Sequence, residues 1–242
     1  MRAIFAQPRI ALTRRAVDCQ SAGVCVGRKA GATIGRACLL TVLVIAGCAP
    51  NIVRSSGSAT PSIAQARQER ASTIVTVEGI VTVASDTFDD GFAIADASGG
   101  VYVFDSLGTH YELGDHVRVD GILAARNDEL GIRPSAIDRV GTATVPQTVD
   151  VTSGSVGAAQ VGRLVRVHGR VQGELVDDWP YGWKMYLDDG SGAALVFISM
   201  STGIHIDPLR NAPEITASGY CGRYKDHYEI LPRTQDDLRP AD

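Results

Sequence analysis

The stretch "VTVEGIVTV" at residues 75–83 recurs as "VRVHGRVQG" at residues 165–173, with Gly79 and Gly169 in the same place. In both copies apolar residues alternate with polar ones, which is the period of a half-buried β-strand. A glycine in the middle of such a strand permits the sharp bend that closes a small sheet into a barrel. The sequence therefore predicts two β-rich units that are built in the same way.

The repeat continues through the rest of both units. Three further pairs of segments align in the same order: "ADASGGVYVF" (95–104) with "DDGSGAALVF" (188–197), "VRVDGIL" (117–123) with "ITASGYC" (215–221), and "LGIRP" (130–134) with "YEILP" (228–232). Self-similarity of this kind indicates a duplicated structural unit. The spacing between the copies grows along the chain, so the second unit has slightly longer loops.

The first unit contains recognisable turn and strand signals. Ala97-Ser98-Gly99-Gly100 separates "GFAIAD" from "GVYVFD" and predicts a β-hairpin. A fourth strand is predicted at "GDHVRVDGIL" and a fifth at "LGIRPSAIDRV". Proline has no backbone N–H to donate to a neighbouring strand, so Pro134 predicts that the fifth strand lies at an edge of the sheet.

Five short strands in a unit of about 70 residues resemble the OB-fold, a small Greek-key barrel. The pattern "V-x-V-x-G-x-V … G-F-x-I-x-D-x-S-G-G-V-Y-V-F … L-G-D-x-V-x-V-x-G … L-G-I" is similar to exported bacterial OB-domains found in lipoproteins or beside extracellular nucleases. The resemblance implies an all-β chain with two tandem five-stranded OB-fold-like Greek-key barrels, at residues 73–142 and 160–242, joined by a linker at 143–159. One fold serves many functions, so the resemblance specifies no activity.

The apolar run "LLTVLVIAGCAP" at residues 39–50 predicts where the protein is located. A bilayer crossing needs about 20 apolar residues, and the uncharged run is shorter than that. It matches the h-region of a signal peptide, with basic residues ahead of it. Ile45-Ala46-Gly47-Cys48 resembles the lipobox of bacterial lipoproteins, which implies that residues 1–47 are a signal peptide and that Cys48 is acylated with diacylglycerol and a palmitate-like chain. A buried helix with an incidental cysteine is the alternative.

The distribution of charged residues along the chain also indicates an exported protein. Seven basic residues and one acidic residue precede Cys48, whereas 16 basic and 26 acidic residues make up the rest. The leader is long, which a true start near Val24 or Val26 would explain. The residue after Cys48 is Ala49 and not aspartate, as in lipoproteins sorted to the outer membrane. We therefore expect a lipid anchor on the periplasmic face of that membrane. Residues 48–72 are predicted to be a flexible tether, because they are rich in Ala, Ser, Gly and Pro. A short helix is predicted within it, between about Ile63 and Arg70.

Candidate ligand-binding residues fall in the second unit. Ligands of OB-folds lie across strands two and three, flanked by the loops after strands one and four. In the second unit these loops are rich in aromatic and basic residues, and the candidates are Trp179, Tyr181, Trp183, Lys184, Tyr186, Arg223, Tyr224, Lys225 and Tyr228. Aromatic platforms beside basic residues stack on bases or on sugar faces. Alternatively, these aromatics close the barrel mouth or pack against the other unit.

The charge of the two units bears on the kind of partner. The first unit has twelve acidic residues against four arginines, and the second has twelve against nine basic residues. Nucleic-acid binding depends on a basic surface, so the acidic charge disfavours it and places it, if present, in the second unit.

The search for catalytic chemistry finds little. The sequence contains no nucleophile motif, zinc spacing or phosphate-binding loop, which predicts a protein that is not an enzyme and has no cofactor or metal. The paired aspartates of "FDDGF" and "LDDGSG" are better explained by turns, His168 by an exposed or hydrogen-bonded side chain, and Cys221 by a buried, inert thiol. The sequence thus predicts a membrane-anchored binding or scaffold module for a protein or glycan partner. The alternatives are single-stranded nucleic-acid binding by the second unit and an accessory domain of an extracellular hydrolase.

Overall fold

The computed structural model describes residues 60–88 and 91–241 of the 242-residue chain. The described residues belong to one compact unit that spans Arg54–Asp242. The predicted signal peptide, the lipobox and Cys48 lie outside the described residues, so they stay predictions. Among the residues described, no helix has both the length and the apolar character needed to span a bilayer.

A closed five-stranded barrel forms the first half of the unit. Its strands are β1 (Ile74–Val83), β2 (Phe92–Ala95), β3 (Gly100–Val103), β4 (Asp115–Arg126) and β5 (Glu129–Thr142), preceded by the short helix α1 (Ile63–Ala66). The strand order is β1-β2-β3-β5-β4, with β3 and β5 parallel and the other pairs antiparallel. This is the order of an OB-fold.

The second half has the same order with extra short strands. Its strands are β6 (Val149–Asp150), β7 (Leu164–Val171), β8 (Val176–Asp178), β9 (Gly182–Asp188), β10 (Ala194–Ser199), β11 (Glu214–Tyr224), β12 (His227–Leu231) and β13 (Leu238–Pro240). The main strands lie side by side in the order β7-β9-β10-β12-β11. Strand β11 also pairs with β7, which closes the barrel. Short 3₁₀ turns lie at Ser153–Ser155, Met200–Thr202, Asp207–Leu209 and Gln235–Asp237. The predicted all-β fold with two OB-fold-like barrels is confirmed.

Apolar alternation fills each barrel in the expected way. Inward-facing residues of β1, such as Val75 and Val77, are buried in the first core, and Val165 and Val167 of β7 are their counterparts in the second. The predicted hairpin is also present, since β2 pairs with β3 across the turn from Ala95 to Gly100. Alternation therefore identified both the strands and their buried faces.

Pro134 does not mark an edge strand, and that prediction was wrong. It lies in β5 between β3 and β4, inside a closed barrel. The proline faces Gly121 next to a register shift between Asp120 and Gly121. A bulge of this kind accommodates a residue that has no N–H to donate.

Helix α1 is attached to the first barrel by the β2–β3 turn. The Asp96 carboxylate accepts from the Ile63 N–H at 2.8 Å, and the Ser98 hydroxyl accepts from the Ala64 N–H at 3.0 Å. Burial raises the pKa of Asp96, but hydrogen bonds from Ser98, Ile63 and Gly99 outweigh it and hold the pKa below its ordinary value. Ile63 itself is fully buried in the core.

The second barrel repeats this arrangement. The Asp189 carboxylate accepts from the Ser153 N–H at 3.0 Å, and the Ser191 hydroxyl accepts from the Gly154 N–H at 2.9 Å. Hydrogen bonds from the Ser191 and Ser153 hydroxyls and backbone lower the pKa of Asp189. The Asp-x-Ser-Gly sequence shared by the two copies is therefore a capping device for the chain segment that enters each barrel.

Both entering segments lie in parts of the sequence for which no barrel structure was predicted. Part of the predicted tether, Ile63–Ala66, forms the expected short helix and packs in the first core, so it is not flexible. Part of the predicted linker contains β6 and the turn Ser153–Ser155, which belong to the second barrel. The sequence of these two segments did not reveal that they belong to the barrels. Each is attached through its backbone N–H groups, and any residue type can supply such a group.

The two barrels pack through a third apolar cluster. Val83, Ala93 and Tyr102 of the first barrel meet Leu164 and Tyr220 of the second, and all five are buried. The rings of Tyr102 and Tyr220 lie edge to face with centroids 5.7 Å apart, a favourable aromatic geometry. The outer face of β2 and β3 is thus covered by the second barrel.

A contact between two glycines sets the distance between the barrels. A Cβ on Gly100 would overlap the carbonyl oxygen of Gly162, and a Cβ on Gly162 would overlap that of Gly100. The Arg67 guanidinium donates to the Gly100 carbonyl at 3.1 Å and also to the Val161 carbonyl. Arg163 donates to the Ser98 carbonyl at 2.8 Å. Backbone therefore meets backbone here, and arginines from both segments hold the contact closed.

Replacing Gly100 with alanine tests this contact. The new methyl group meets backbone and not a movable side chain, so we expect Gly100→Ala to destabilise the protein by about 3 kcal/mol in urea unfolding. Ala193 occupies the aligned position of the second copy, away from the barrel contact. Ala193→Gly is the matched control and should cost no more than about 1 kcal/mol. Equal effects of the two changes would contradict the proposed contact.

The partly buried carboxylate of Glu129 also joins the barrels. It accepts from the hydroxyl of Tyr220 and from the backbone N–H of Arg223 at 3.1 Å. Burial raises the pKa of Glu129 above its ordinary value, although these hydrogen bonds act in the opposite direction. The folded state consequently binds a proton at Glu129 more tightly than the unfolded state does.

The pH dependence of stability should show this difference. A carboxyl whose pKa is raised by folding adds stability as the pH falls through the folded pKa towards the ordinary value. Between neutral pH and about pH 5 the wild-type chain should therefore gain a contribution that Glu129→Gln lacks. Denaturant unfolding of both proteins across this range measures it. The idea fails if the two proteins show parallel pH profiles.

Candidate ligand-binding face of the second barrel

The outer faces of strands two and three differ between the barrels. In the first barrel this face carries Ala93 and Tyr102 and is covered by the second barrel. In the second barrel the corresponding strands β9 and β10 border an open groove of about 440 Å³. The groove is lined by Val156, Lys184, Tyr186, Ala193, Ala194, Leu195, His227 and Tyr228. Ligands of OB-folds bind on this face.

Tyr186 and Lys184 supply the groove's side from β9. The Tyr186 side chain is 39% exposed, so an aromatic surface is available to a ligand. The Lys184 ammonium forms an ion pair with Asp178 at 2.9 Å. The positive charge of Lys184 is thereby offset within the protein, which leaves the groove close to neutral on this side.

The opposite side of the groove is formed by β12. The His227 ring lies 3.2 Å from the Asp226 carboxylate and 3.8 Å from that of Glu229, measured from Nδ1 and Nε2. The Tyr224 ring lies nearby, with its centroid 5.7 Å from that of His227. His227 thus lies beside two carboxylates that do not themselves line the groove.

The two tryptophans have different roles. Trp179 is 75% exposed at the tip of the β8–β9 hairpin. Its backbone N–H donates to the Asp177 carboxylate at 2.9 Å. Trp183 packs against the core of the second barrel, and the Arg210 guanidinium lies 5.1 Å from its ring centroid. The packing interpretation therefore holds for Trp183, whereas Trp179 is available for binding. Tyr181 is half-buried in the same hairpin.

Three other candidates lie at the junction with the first barrel. The Lys225 N–H donates to the Asn127 carbonyl at 2.7 Å, and the Arg223 N–H donates to Glu129. The Lys225 ammonium lies 5.3 Å from the centroid of the Tyr224 ring. Arg223, Tyr224 and Lys225 thus connect the hairpin of the second barrel to that of the first. Of the nine candidates, the groove brings together Lys184, Tyr186 and Tyr228.

Sequence reasoning missed Leu195 and His227. Leu195 was concealed because an apolar residue in a buried strand predicts core; it pairs with Tyr186 and borders the groove, although it is only 8% exposed. The repeat could have revealed it, since Leu195 aligns with Tyr102 of the covered face. His227 stands next to Tyr228 in one of the predicted loops, and its position there was the available signal.

Other predictions about chemistry can be placed on the structure. In "LDDGSG" the Asp188 carboxylate accepts from the Gly190 and Gly192 N–H groups at 2.8 and 3.2 Å, which confirms the turn. The paired aspartates of "FDDGF" lie outside the described residues. Cys221 is fully buried, and burial raises the pKa of its thiol to about 12, so it is inert as predicted. Within residues 60–88 and 91–241, no group of three or more metal-ligating side chains is found.

Comparisons with known proteins give only weak likenesses. No protein-family model matches the sequence, and no curated protein does. The chain is similar to the hypothetical protein ygiW from E. coli, with 25% identity over 34% of this chain and 89% of that one and a TM-score of 0.29. It is also similar to the tetrameric p202 HIN2, with 13% identity over 72% and 96% and a TM-score of 0.35. A replication protein A heterotrimer bound to single-stranded DNA gives 10% identity over 75% and 69% and a TM-score of 0.26.

These likenesses are too weak to carry an argument about function. The class of protein is instead defined by the strand order of the two barrels, which is that of tandem OB-folds. Only the second barrel leaves its ligand face open among the residues described.

The contrast between the tryptophans predicts their effects on stability. Trp179→Ala should change the free energy of unfolding by less than about 0.5 kcal/mol, because the side chain is largely in solvent. Trp183→Ala should cost about 2 kcal/mol or more, because it removes contacts with the barrel core. Urea unfolding of the two variants measures both values. A large loss for Trp179→Ala would show that this ring is part of the packing.

Proposed function

We propose that this chain is a non-enzymatic lipoprotein of the bacterial cell envelope, anchored through acylated Cys48, whose second barrel binds a protein or glycan partner. The observation that carries the binding proposal is the difference between the two equivalent faces. The first barrel's face is covered by the second barrel, whereas the second barrel's face remains an open groove. The predicted signal peptide and the acidic charge of the rest of the chain support the envelope location.

The chemistry of the groove supports a partner without strong negative charge. Tyr186 offers an aromatic face, and Leu195 and Tyr228 extend the surface across the groove. Lys184 is paired with Asp178, and His227 lies beside Asp226. Sugar faces and peptide side chains can pack against this aromatic and apolar surface, whereas a phosphate would meet a lysine whose charge is already paired. Trp179 lies nearby on the β8–β9 hairpin as a second exposed aromatic.

Binding to defined probes tests this proposal. An array of neutral oligosaccharides serves as the glycan probe, and a single-stranded deoxyoligonucleotide serves as the polyanion probe. We expect binding to oligosaccharides or to a protein, with little dependence on salt. Tyr186→Ala should weaken it at least tenfold, because truncating a central aromatic contact costs more than about 1 kcal/mol. Leu113→Ala removes a comparably exposed apolar residue of the first barrel, away from the groove, and is the control.

Three results would contradict the proposal. Oligonucleotide binding that falls steeply with salt would replace it by nucleic-acid recognition. Binding that is unchanged by Tyr186→Ala would remove the groove as the site. Metal-dependent hydrolysis by the purified chain would contradict the non-enzymatic assignment.

A further inference from the structure

The second barrel packs on the first through a row of three residues, and the first barrel has an equivalent row that is exposed. Leu164, Tyr220 and Leu231 form a row across β7, β11 and β12, in which each residue faces the next in register. We call this the docking row. Its Leu164 and Tyr220 pack on the face of the first barrel that carries Tyr102.

The first barrel presents the equivalent row to solvent. By the internal repeat, Ile74, Ile122 and Arg133 correspond to the docking row, and they face one another in register across β1, β4 and β5. Ile74 is 81% exposed and Ile122 is 37% exposed. The first barrel therefore exposes an apolar cross-strand pair at the place where the second barrel buries Leu164 and Tyr220.

The receiving side also has an open counterpart. In the first barrel the docking row is received by Ala93 and Tyr102, which face each other across β2 and β3. Tyr186 and Leu195 are their counterparts by the repeat and face each other in the same way across β9 and β10. These two residues line the open groove.

One copy of the chain therefore carries an unused docking row at one end and an unused receiving groove at the other. We propose that copies of this chain associate head to tail, with Ile74 and Ile122 of one copy seated over Tyr186 and Leu195 of the next. This inference rests on the proposed function, because it uses the same groove and names a second copy of the chain as the protein partner. An interface between different surfaces of identical chains produces rings or open filaments.

The contact between copies differs from the one within a copy. Ala193 and Ser72 stand at the positions of Gly100 and Gly162, so the backbones cannot approach as closely. Gly157 stands at the position of Arg67, which removes a hydrogen-bonding anchor. Association between copies is consequently weaker than the internal contact, and it is reversible and depends on concentration.

Sedimentation velocity of the full chain from micromolar to millimolar concentration tests the inference. The average mass should rise with concentration for the wild-type chain. Ile74→Lys replaces an apolar residue of the exposed row by a charged one, and Tyr186→Lys puts a charge into the groove, so each should lower the association constant at least tenfold. Val140→Lys, at a residue with 47% exposure outside the docking row, should leave association unchanged.

A mixing experiment identifies the two surfaces. The Ile74→Lys chain keeps a groove and the Tyr186→Lys chain keeps a docking row, so an equimolar mixture should form a dimer and nothing larger. A chain with both changes should be monomeric. Association that persists in the double variant, or a wild-type chain that is monomeric at every concentration, would overturn the inference.

The outcome also separates this inference from the proposed function. A monomeric chain that binds neutral oligosaccharides through Tyr186 would overturn self-association and leave the binding function in place. Self-association lost in both single variants would support the inference, whatever the oligosaccharide array shows.

Discussion

The arrangement of the molecule depends on the backbone contact between Gly100 and Gly162. Neither residue has room for a Cβ, so the two chain segments lie directly against each other. Arg67 closes this contact by donating to carbonyl groups on both sides. At this separation the rings of Tyr102 and Tyr220 touch, and the face of the first barrel becomes a protein interface. A larger separation would leave that face open to a ligand.

Divergence at a few aligned positions gave the two copies different roles. The second copy has Ala193 in place of Gly100 and Tyr186 in place of Ala93. Both replacements add bulk where the first barrel needs close approach, and in the second barrel these residues border the open groove. A duplicated barrel can thus keep its fold while one face is used for assembly and the other for a partner.

Several charged residues that attract attention in the sequence have structural tasks. Asp96 and Asp189 hold the segment that enters each barrel, and Glu129 joins the barrels through Tyr220. Turn and capping chemistry explains these carboxylates, because each accepts several hydrogen bonds from backbone or hydroxyl groups. Trp183 is a similar case: a candidate for binding that instead packs on a core.

Alternation of apolar residues and the internal repeat by themselves determined the strands, the OB-fold-like barrels and the hairpin at Gly100, because these follow from local pattern and turn chemistry. They also directed attention to the segments that hold Tyr186 and Tyr228, which were predicted to be loops and lie in strands β9 and β12. Tertiary structure alone decided which face is covered, which tryptophan is exposed and that Pro134 lies at a bulge. Those outcomes depend on contacts between residues far apart in the chain, such as Tyr102 with Tyr220, whose distances no local pattern encodes.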